Sequence, residues 1–189
     1  MFTEPVGIRA PTPADYAAFV RLFGYLETGD DIPTPKVWRD ELALQSMVYV
    51  DEGEAVGYVY AQVLEGVGFV RHVALEPSRR GCGLGRALMH AVAGRMREAG
   101  VEQWRLNVKP DNAQALRLYQ GLGMTMLFAS VAMVRALLEA MRPNADPRKT
   151  FMQLVVEDAS ALASALGRAG ARRHLDTVQL GGPLPSAPM

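Results

Sequence analysis

The chain has 189 residues, 49% of them apolar and 21% charged, the size and balance of one globular domain with a sizeable core, which excludes a disordered or fibrous protein. Its 20 Lys and Arg cancel its 20 Asp and Glu, so net charge argues for neither nucleic acid nor a membrane surface as partner. No apolar run approaches the ~18–20 residues that span a bilayer, the opening MFTEPVGIRAP lacks the basic and apolar regions of a signal peptide, and Cys82, the single cysteine, forms no internal disulfide, so a cytoplasmic protein is expected.

In chain order, VGIRA reads as a short strand. APTPADYAAFVRLF then offers Thr12 as N-cap, Pro13 at the first helical position and Asp15 in the first turn. GYLETGDDIPTP is a loop, and a second helix starts near Pro35 with Thr34 capping and Trp38, Leu42 and Leu44 as its apolar residues. SMVYVDEGEAVGYVYAQVLEG is a hairpin turning at Asp51-Glu52-Gly53, and VGFVRHVALEP is a further strand ended by Pro77. After RRGCGLG, a helix runs to about Ala99, with Leu84, Leu88, Ala91, Val92 and Met96 at helical spacing and Gly100 as its stop. VEQWRLNV alternates as a strand, KPDNAQALRLYQGLG is a loop and an Asn112-capped helix, and MTMLFASVAMVRAL is two strands or a strand and a bend.

The last quarter differs in composition. RPNADPRK, residues 142–149, reads as a linker. Beyond it TFMQLVV is a strand, DASALASALGRAG a capped helix and HLDTVQL a further strand. The expected division is a main domain over 1–141, the linker 142–149, and a strand-helix-strand extension over 150–189. That extension is too small to stand alone and must pack on the body or on a partner chain.

Charge is unevenly placed. Acids dominate from Tyr25 to Gly66 (Glu27, Asp30, Asp31, Asp40, Glu41, Asp51, Glu52, Glu54, Glu65 against Lys36 and Arg39), and bases dominate from Val67 to Arg117. Two solvated faces would give this pattern; so would a basic pocket for an anionic cofactor beside an acidic entry for a cationic substrate.

Glycines between a strand and a helix let backbone N–H groups converge on an anion at a positive helix end. Gly81, Gly83 and Gly85 lack the Lys and hydroxyl of a Walker A loop, and their G-x-G-x-G spacing is not the dinucleotide G-x-G-x-x-G. The loop instead resembles the acetyl-CoA pyrophosphate loop of the GNAT N-acetyltransferase superfamily, [QR]-x-x-G-x-[GA], at Arg80, Gly83 and Gly85. WRLNVKPDNAQALRLYQGLGM resembles that family's next strand and helix, with Asn112, Ala115 and Tyr119 in an Asn-x-x-Ala-x-x-x-Tyr run. The likeness runs from Gly7 to about Leu137; the tail has no counterpart.

The resemblance implies an α/β (α+β) GNAT fold, a mixed, mostly antiparallel sheet whose central parallel strands splay apart, flanked by helices. It implies transfer of acetyl from acetyl-CoA to a primary amine, a small cationic amine or a protein amine, by direct attack in a ternary complex. Val73 and Leu75 would pair with the pantetheine through their main chain, and the backbone of Arg80, Gly81, Cys82, Gly83, Leu84, Gly85 and Arg86 would take the pyrophosphate, helped by the Arg79, Arg80 and Arg86 side chains. Asn112 would touch the CoA arm. Tyr119 would be the general acid near the sulfur, and the N–H of Leu75 or a neighbour the oxyanion donor. Cys82 sits at the variable loop position and needs no covalent role.

The general base is open: His72, Glu65, Glu76 or a water relay. Tyr58, Tyr60 and Gln62 share one strand face on the acceptor side. No His/Cys/Asp cluster has metal-ligand spacing, so no metal is expected. An alternative is a non-catalytic acyl-CoA-binding module, and the extension raises a homodimer as a further expectation.

Overall fold

A computed structural model of the chain describes residues 6–136, 151–158, 160–168 and 171–186. Strand β1 (Gly7–Arg9) brings Arg9 against Asp15. The Asp15 carboxylate takes both Arg9 terminal nitrogens at 2.8 and 3.0 Å, and the N–H and hydroxyl of Thr12 at 2.6 and 2.9 Å. Burial pushes the Asp15 carboxyl up, but these donors outweigh it and hold the group below its ordinary range. Thr12 and Pro13 open a 3-10 turn, Pro13–Asp15, that runs into α1 (Tyr16–Phe23).

Thr34 accepts from the Val37 N–H at 3.3 Å and starts α2 (Pro35–Val37), a single turn that widens into a π-helical stretch over Trp38–Leu42. Trp38 stacks on Phe19 at 4.3 Å, and Leu42 is buried with it. Leu44, the third apolar residue of that helix, is 71% exposed: two positions past Leu42, it lies on the opposite side of the turn.

Strands β2 (Ser46–Asp51), β3 (Glu54–Leu64) and β4 (Val67–Leu75) form an antiparallel meander. Its two-residue turns, Glu52-Gly53 and Glu65-Gly66, have φ of 52° and 85°, and 50° and 77°, the positive pair that matches the strand twist. Helix α3 (Leu84–Glu98) then crosses over to β5 (Gln103–Val108), which runs parallel to β4. Helix α4 (Ala113–Gln120) follows, and β6 (Thr125–Ala136) is one strand with register shifts between Met126 and Phe128 and between Ala132 and Met133, where two strands or a strand and a bend were expected.

The tail forms β7 (Phe151–Glu157), α5 (Ala161–Arg168), capped by Ser160 through the Ala163 N–H at 3.0 Å, and β8 (Arg172–Pro183). The eight-stranded sheet has the order β1-β2-β3-β4-β5-β8-β6-β7. Strand β8 is thus inserted between β5 and β6, antiparallel to both. The linker expected over 142–149 lies outside the described residues; the strands on either side of it, β6 and β7, pair directly. Leu180 of β8 is fully buried in the main core.

Two cores flank the sheet. On one face α3 packs Leu88, Met89, Val92, Ala93 and Met96 against Val59, Val70, Trp104 and Leu106. On the other, α1 and the α2 region pack Phe19, Leu22 and Trp38 against Val48, Val50 and Tyr58. Among the described residues no helix is long and apolar enough to cross a membrane.

Candidate active site

The site begins as a fault in strand pairing. Strands β4 and β5 pair from Val67/Gln103 to Val70/Leu106 and no further. On its other edge β4 carries an extra residue: Tyr60 opposes His72 but Ala61 opposes Val70, which leaves Arg71 as a bulge. A bulge bends its strand and shifts the alternation of its side chains. Before it, Val70 faces α3; after it, Val73 and Leu75 do, while Ala74 joins the core under α1. Past Val70 the β5-facing edge of β4 has no strand partner among the described residues, and a cleft opens at the C-terminal ends of two parallel strands, where open α/β sheets place ligands.

That cleft holds about 400 Å³. Val73, Leu75, Arg80, Gly81, Gly83, Gly85, Arg86, Asn112 and Tyr119 all line it; Cys82, Leu84 and His72 do not. Cys82 is exposed, its Sγ 3.7 Å from the Arg80 carbonyl. The glycines serve two purposes. Gly81 and Gly83 have φ of 81° and 85°, a backbone that side-chain-bearing residues adopt at a cost. Gly85 sits in a tight place: a Cβ there would lie 3.2 Å from Leu118 and 3.4 Å from Leu75, side-chain ends that would have to shift. The chain thus delivers the first turn of a 15-residue helix, with its unpaired N–H groups, to the cleft wall. An open strand edge, a positive helix end and a glycine floor fit a ligand that carries amides and a diphosphate, as acetyl-CoA does.

The arginines divide. Arg80 lies over the Tyr25 ring at 5.7 Å and donates from Nε to the Leu75 carbonyl at 3.3 Å. Arg86 donates to the Gly121 carbonyl at 2.9 Å, clamping the start of α3 to the end of α4. Arg79 leaves the cleft for Asp51 on the β2–β3 hairpin, at 2.7 Å. Asn112 caps α4 by accepting from the Ala115 N–H at 3.0 Å while bordering the cleft, so its two expected uses are compatible. Tyr119 is 8% exposed, and burial pushes its phenol up to about 12, so it stays protonated through neutral pH.

The base candidates fare differently. Glu65 sits in the turn before β4, ten residues from Leu75, roughly 30 Å away along an extended strand. Glu76 is paired with Arg21 of α1 at 2.9 Å. His72 lies among Phe23, Tyr58 and Tyr60. The Tyr58 hydroxyl is 3.2 Å from its Nδ1; Tyr58 is 0% exposed, and burial pushes its phenol far up. The hydroxyl and Nδ1 thus share one hydrogen bond, whose direction follows the tautomer of the imidazole. Burial, outweighing Asp30, pushes His72 down to about 4.

This has a consequence for stability. A histidine whose folded pKa of about 4 lies below its ordinary 6.5 binds more protons unfolded than folded between those values, so stability falls as pH drops through that window. The loss approaches roughly 3 kcal/mol near pH 4. Replacing His72 with Gln should flatten the pH dependence of the urea midpoint between about pH 7 and 4; an unchanged slope would show that other groups carry it.

Sequence reasoning missed Tyr25, Ala74, Gln114, Arg117 and Leu118 as cleft-lining residues. Tyr25 comes from a segment without motif, whereas Gln114, Arg117 and Leu118 stand at the open positions of the Asn112-x-x-Ala115-x-x-x-Tyr119 run. Tyr58, expected on the acceptor side, belongs to the core, and Gln62 accepts from Arg71 at 3.1 Å. Among the described residues no group of three His, Cys, Asp or Glu could hold a metal.

Comparison with known proteins agrees with this geometry. A mycothiol acetyltransferase from Nocardiopsis dassonvillei is 38% identical over 93 residues, 49% of this chain, and the chain spans 25% of that protein's length. The N-alpha-acetyltransferase RimI of Mycobacterium tuberculosis is 34% identical over 128 residues, 64% of this chain and 79% of that protein. A phosphinothricin acetyltransferase from Sinorhizobium meliloti, solved with acetyl-CoA, shares the fold at a TM-score of 0.61 and 17% identity, over 96% of this chain and 90% of that one. The model of the acetyltransferase (GNAT) family matches residues 16–124, from the first residue of α1 to the one before β6, so that both splayed strands and everything between them lie inside the match, and the chain belongs to the GNAT acetyltransferase family.

Proposed function

We propose that the protein transfers the acetyl group of acetyl-CoA to a primary amine by direct attack in a ternary complex. The observation that carries this reading is the bulge-split gap between β4 and β5, which brings an open strand edge, the glycine loop and Tyr119 into one cleft. The pantetheine adds to the edge of Val73–Leu75, and the pyrophosphate rests on the N–H groups from Gly81 to Arg86. The amine nitrogen attacks the thioester carbonyl, whose oxygen is held by the N–H of Leu75 or its neighbour. As the C–S bond breaks, the Tyr119 hydroxyl gives its proton to the sulfur and regains one from solvent, while the amine's proton leaves through water.

Against a solvated thiol near ~8.5, proton transfer from Tyr119 would be uphill by roughly 5 kcal/mol. The burial that raises the phenol also raises a thiol held in the same cleft, which narrows that gap.

The acceptor is a cationic amine, small or on a protein. Its support is the acidic loop after α1: Glu27, Asp30 and Asp31, with Asp30 close enough to raise His72 and Glu41 close enough to raise Tyr60. No enzymic base is needed, because only the neutral amine attacks, and burial holds His72 down at about 4, a weak base at neutral pH. For a set of amines, kcat/KM should therefore climb about tenfold per pH unit up to each amine's own pKa. A common break near pH 6–7, independent of the amine, would reveal a titrating base and overturn that part. Acetyl-CoA binding without turnover across cationic amines would favour a sensing module instead.

Acetyl-CoA as donor makes the cytoplasm the expected compartment. A homodimer through the tail would use the outer edge of β7, since β8 is paired on both sides.

A further inference from the structure

The segment between α1 and α2 is tied to both lips of the cleft. Its first anchor is Tyr25, at the edge of the cleft, with the Arg80 guanidinium over its ring at 5.7 Å. Arg80 follows β4 and holds the last carbonyl of that strand, Leu75, at 3.3 Å. The second anchor is Glu27, whose carbonyl accepts from Lys109 Nζ at 2.9 Å, with the Glu27 carboxylate at 3.9 Å. Lys109 is the residue directly after β5. Tyr25 through Glu27 therefore bridges the two strand ends that the bulge drives apart. Glu27 makes the sharp turn at φ 51°, which sends the chain on toward Asp30 and Pro33. There Tyr16 of α1 takes the Pro33 carbonyl at 3.0 Å.

We propose that Tyr25–Glu27 is a fixed strap across the mouth of the cleft, and that Lys109 is a positioning residue for the amine acceptor, acting through the Glu27 carbonyl. The strap sets where the acidic residues after it stand relative to the open edge of β4; Asp30 is the one whose charge reaches His72. A flexible ammonium suits this use. It needs one carbonyl partner and stands at the end of β5, outside the cleft lining, so the donor need not compete for it. An ammonium donating to a carbonyl is a charge-assisted bond, stronger than a neutral one. The inference rests on the acetyl-transfer reading for its kinetic consequence, but not for its structural one.

The test uses the full chain with Lys109→Met and Lys109→Arg. Amide hydrogen exchange should quicken roughly tenfold over residues 25–31 in Lys109→Met, with α3 and β5 unchanged, and return toward wild type in Lys109→Arg. In steady state with acetyl-CoA and a cationic amine, the acceptor KM should rise about tenfold in Lys109→Met at nearly constant kcat, with acetyl-CoA affinity by calorimetry unchanged. Unaltered exchange over 25–31, or a loss of acetyl-CoA affinity in place of the acceptor effect, would overturn the proposal; the latter would make Lys109 a donor contact. If the wild type acetylates no amine, the functional reading fails and the exchange result alone decides the strap.

Discussion

Replacing Tyr119 with Phe is expected to lower kcat by about 10²–10³ while leaving the acetyl-CoA dissociation constant within roughly threefold of wild type. The change removes one oxygen from a side chain that already lies in the apolar core beside Leu88 and Leu122, so the fold is preserved and the melting temperature should move little. The cause would be loss of the proton delivered to the departing sulfur. That predicts a second signature: the deficit should shrink for acyl donors whose thiol is more acidic and leaves without help. A uniform deficit across leaving groups would assign Tyr119 to packing or alignment. An unimpaired kcat would remove it from the chemistry.

Gly83→Ala is expected to weaken acetyl-CoA binding by about ten- to a hundredfold, measured by calorimetry. A Cβ at Gly83 would meet no atom within 4 Å, so crowding is not the cause. The cause is φ of 85° at the residue before α3, a conformation that costs a side-chain-bearing residue about 1–2 kcal/mol. If the loop relaxes to escape that cost, its N–H groups no longer converge on the diphosphate. If it keeps its shape, the cost appears as lowered stability, a fall of roughly 2–8 °C in melting temperature for a chain of this length. Gly85→Ala is the informative contrast. There φ is ordinary, and the added methyl presses on the ends of Leu118 and Leu75 at 3.2 and 3.4 Å, so the loss should be smaller and should track repacking of those side chains. Equal affinity for Gly83→Ala and wild type would show that the loop is only a turn.

The elements and the glycine turn before α3 were legible because they are local. The N-caps Thr34 and Asn112, the turn residues Glu52-Gly53, the glycines Gly81 and Gly83 and the alternation of Trp104, Leu106 and Val108 each act within a few residues of chain, so composition and spacing determine them. The same holds for Asn112 and Tyr119, which a single helix carries seven residues apart, two turns along one face. The tail shows the limit. Its strand, helix and strand could be read locally, but nothing in HLDTVQL says that β8 enters between β5 and β6; strand pairing is chosen by which edges remain open after everything else has packed.

The base and the strap lay beyond the sequence for the same reason. His72 carries the ring a base requires, and only its burial among Phe23, Tyr58 and Tyr60 pushes it down to about 4. Arg79 and Arg80 are adjacent and chemically identical, yet one is drawn to Asp51 and the other to the rim of the cleft. Lys109 and Glu27 are 82 positions apart and share no pattern. The sequence by itself determined which segments form helices and strands, and that a glycine turn leads from β4 toward α3, since those follow from backbone preference and periodicity. The tertiary structure decided which groups are buried away from water, which cations face the cleft and where the segment after α1 is fastened. Those outcomes depend on charges and hydrogen-bond partners brought together from distant parts of the chain, over distances that no local spacing encodes.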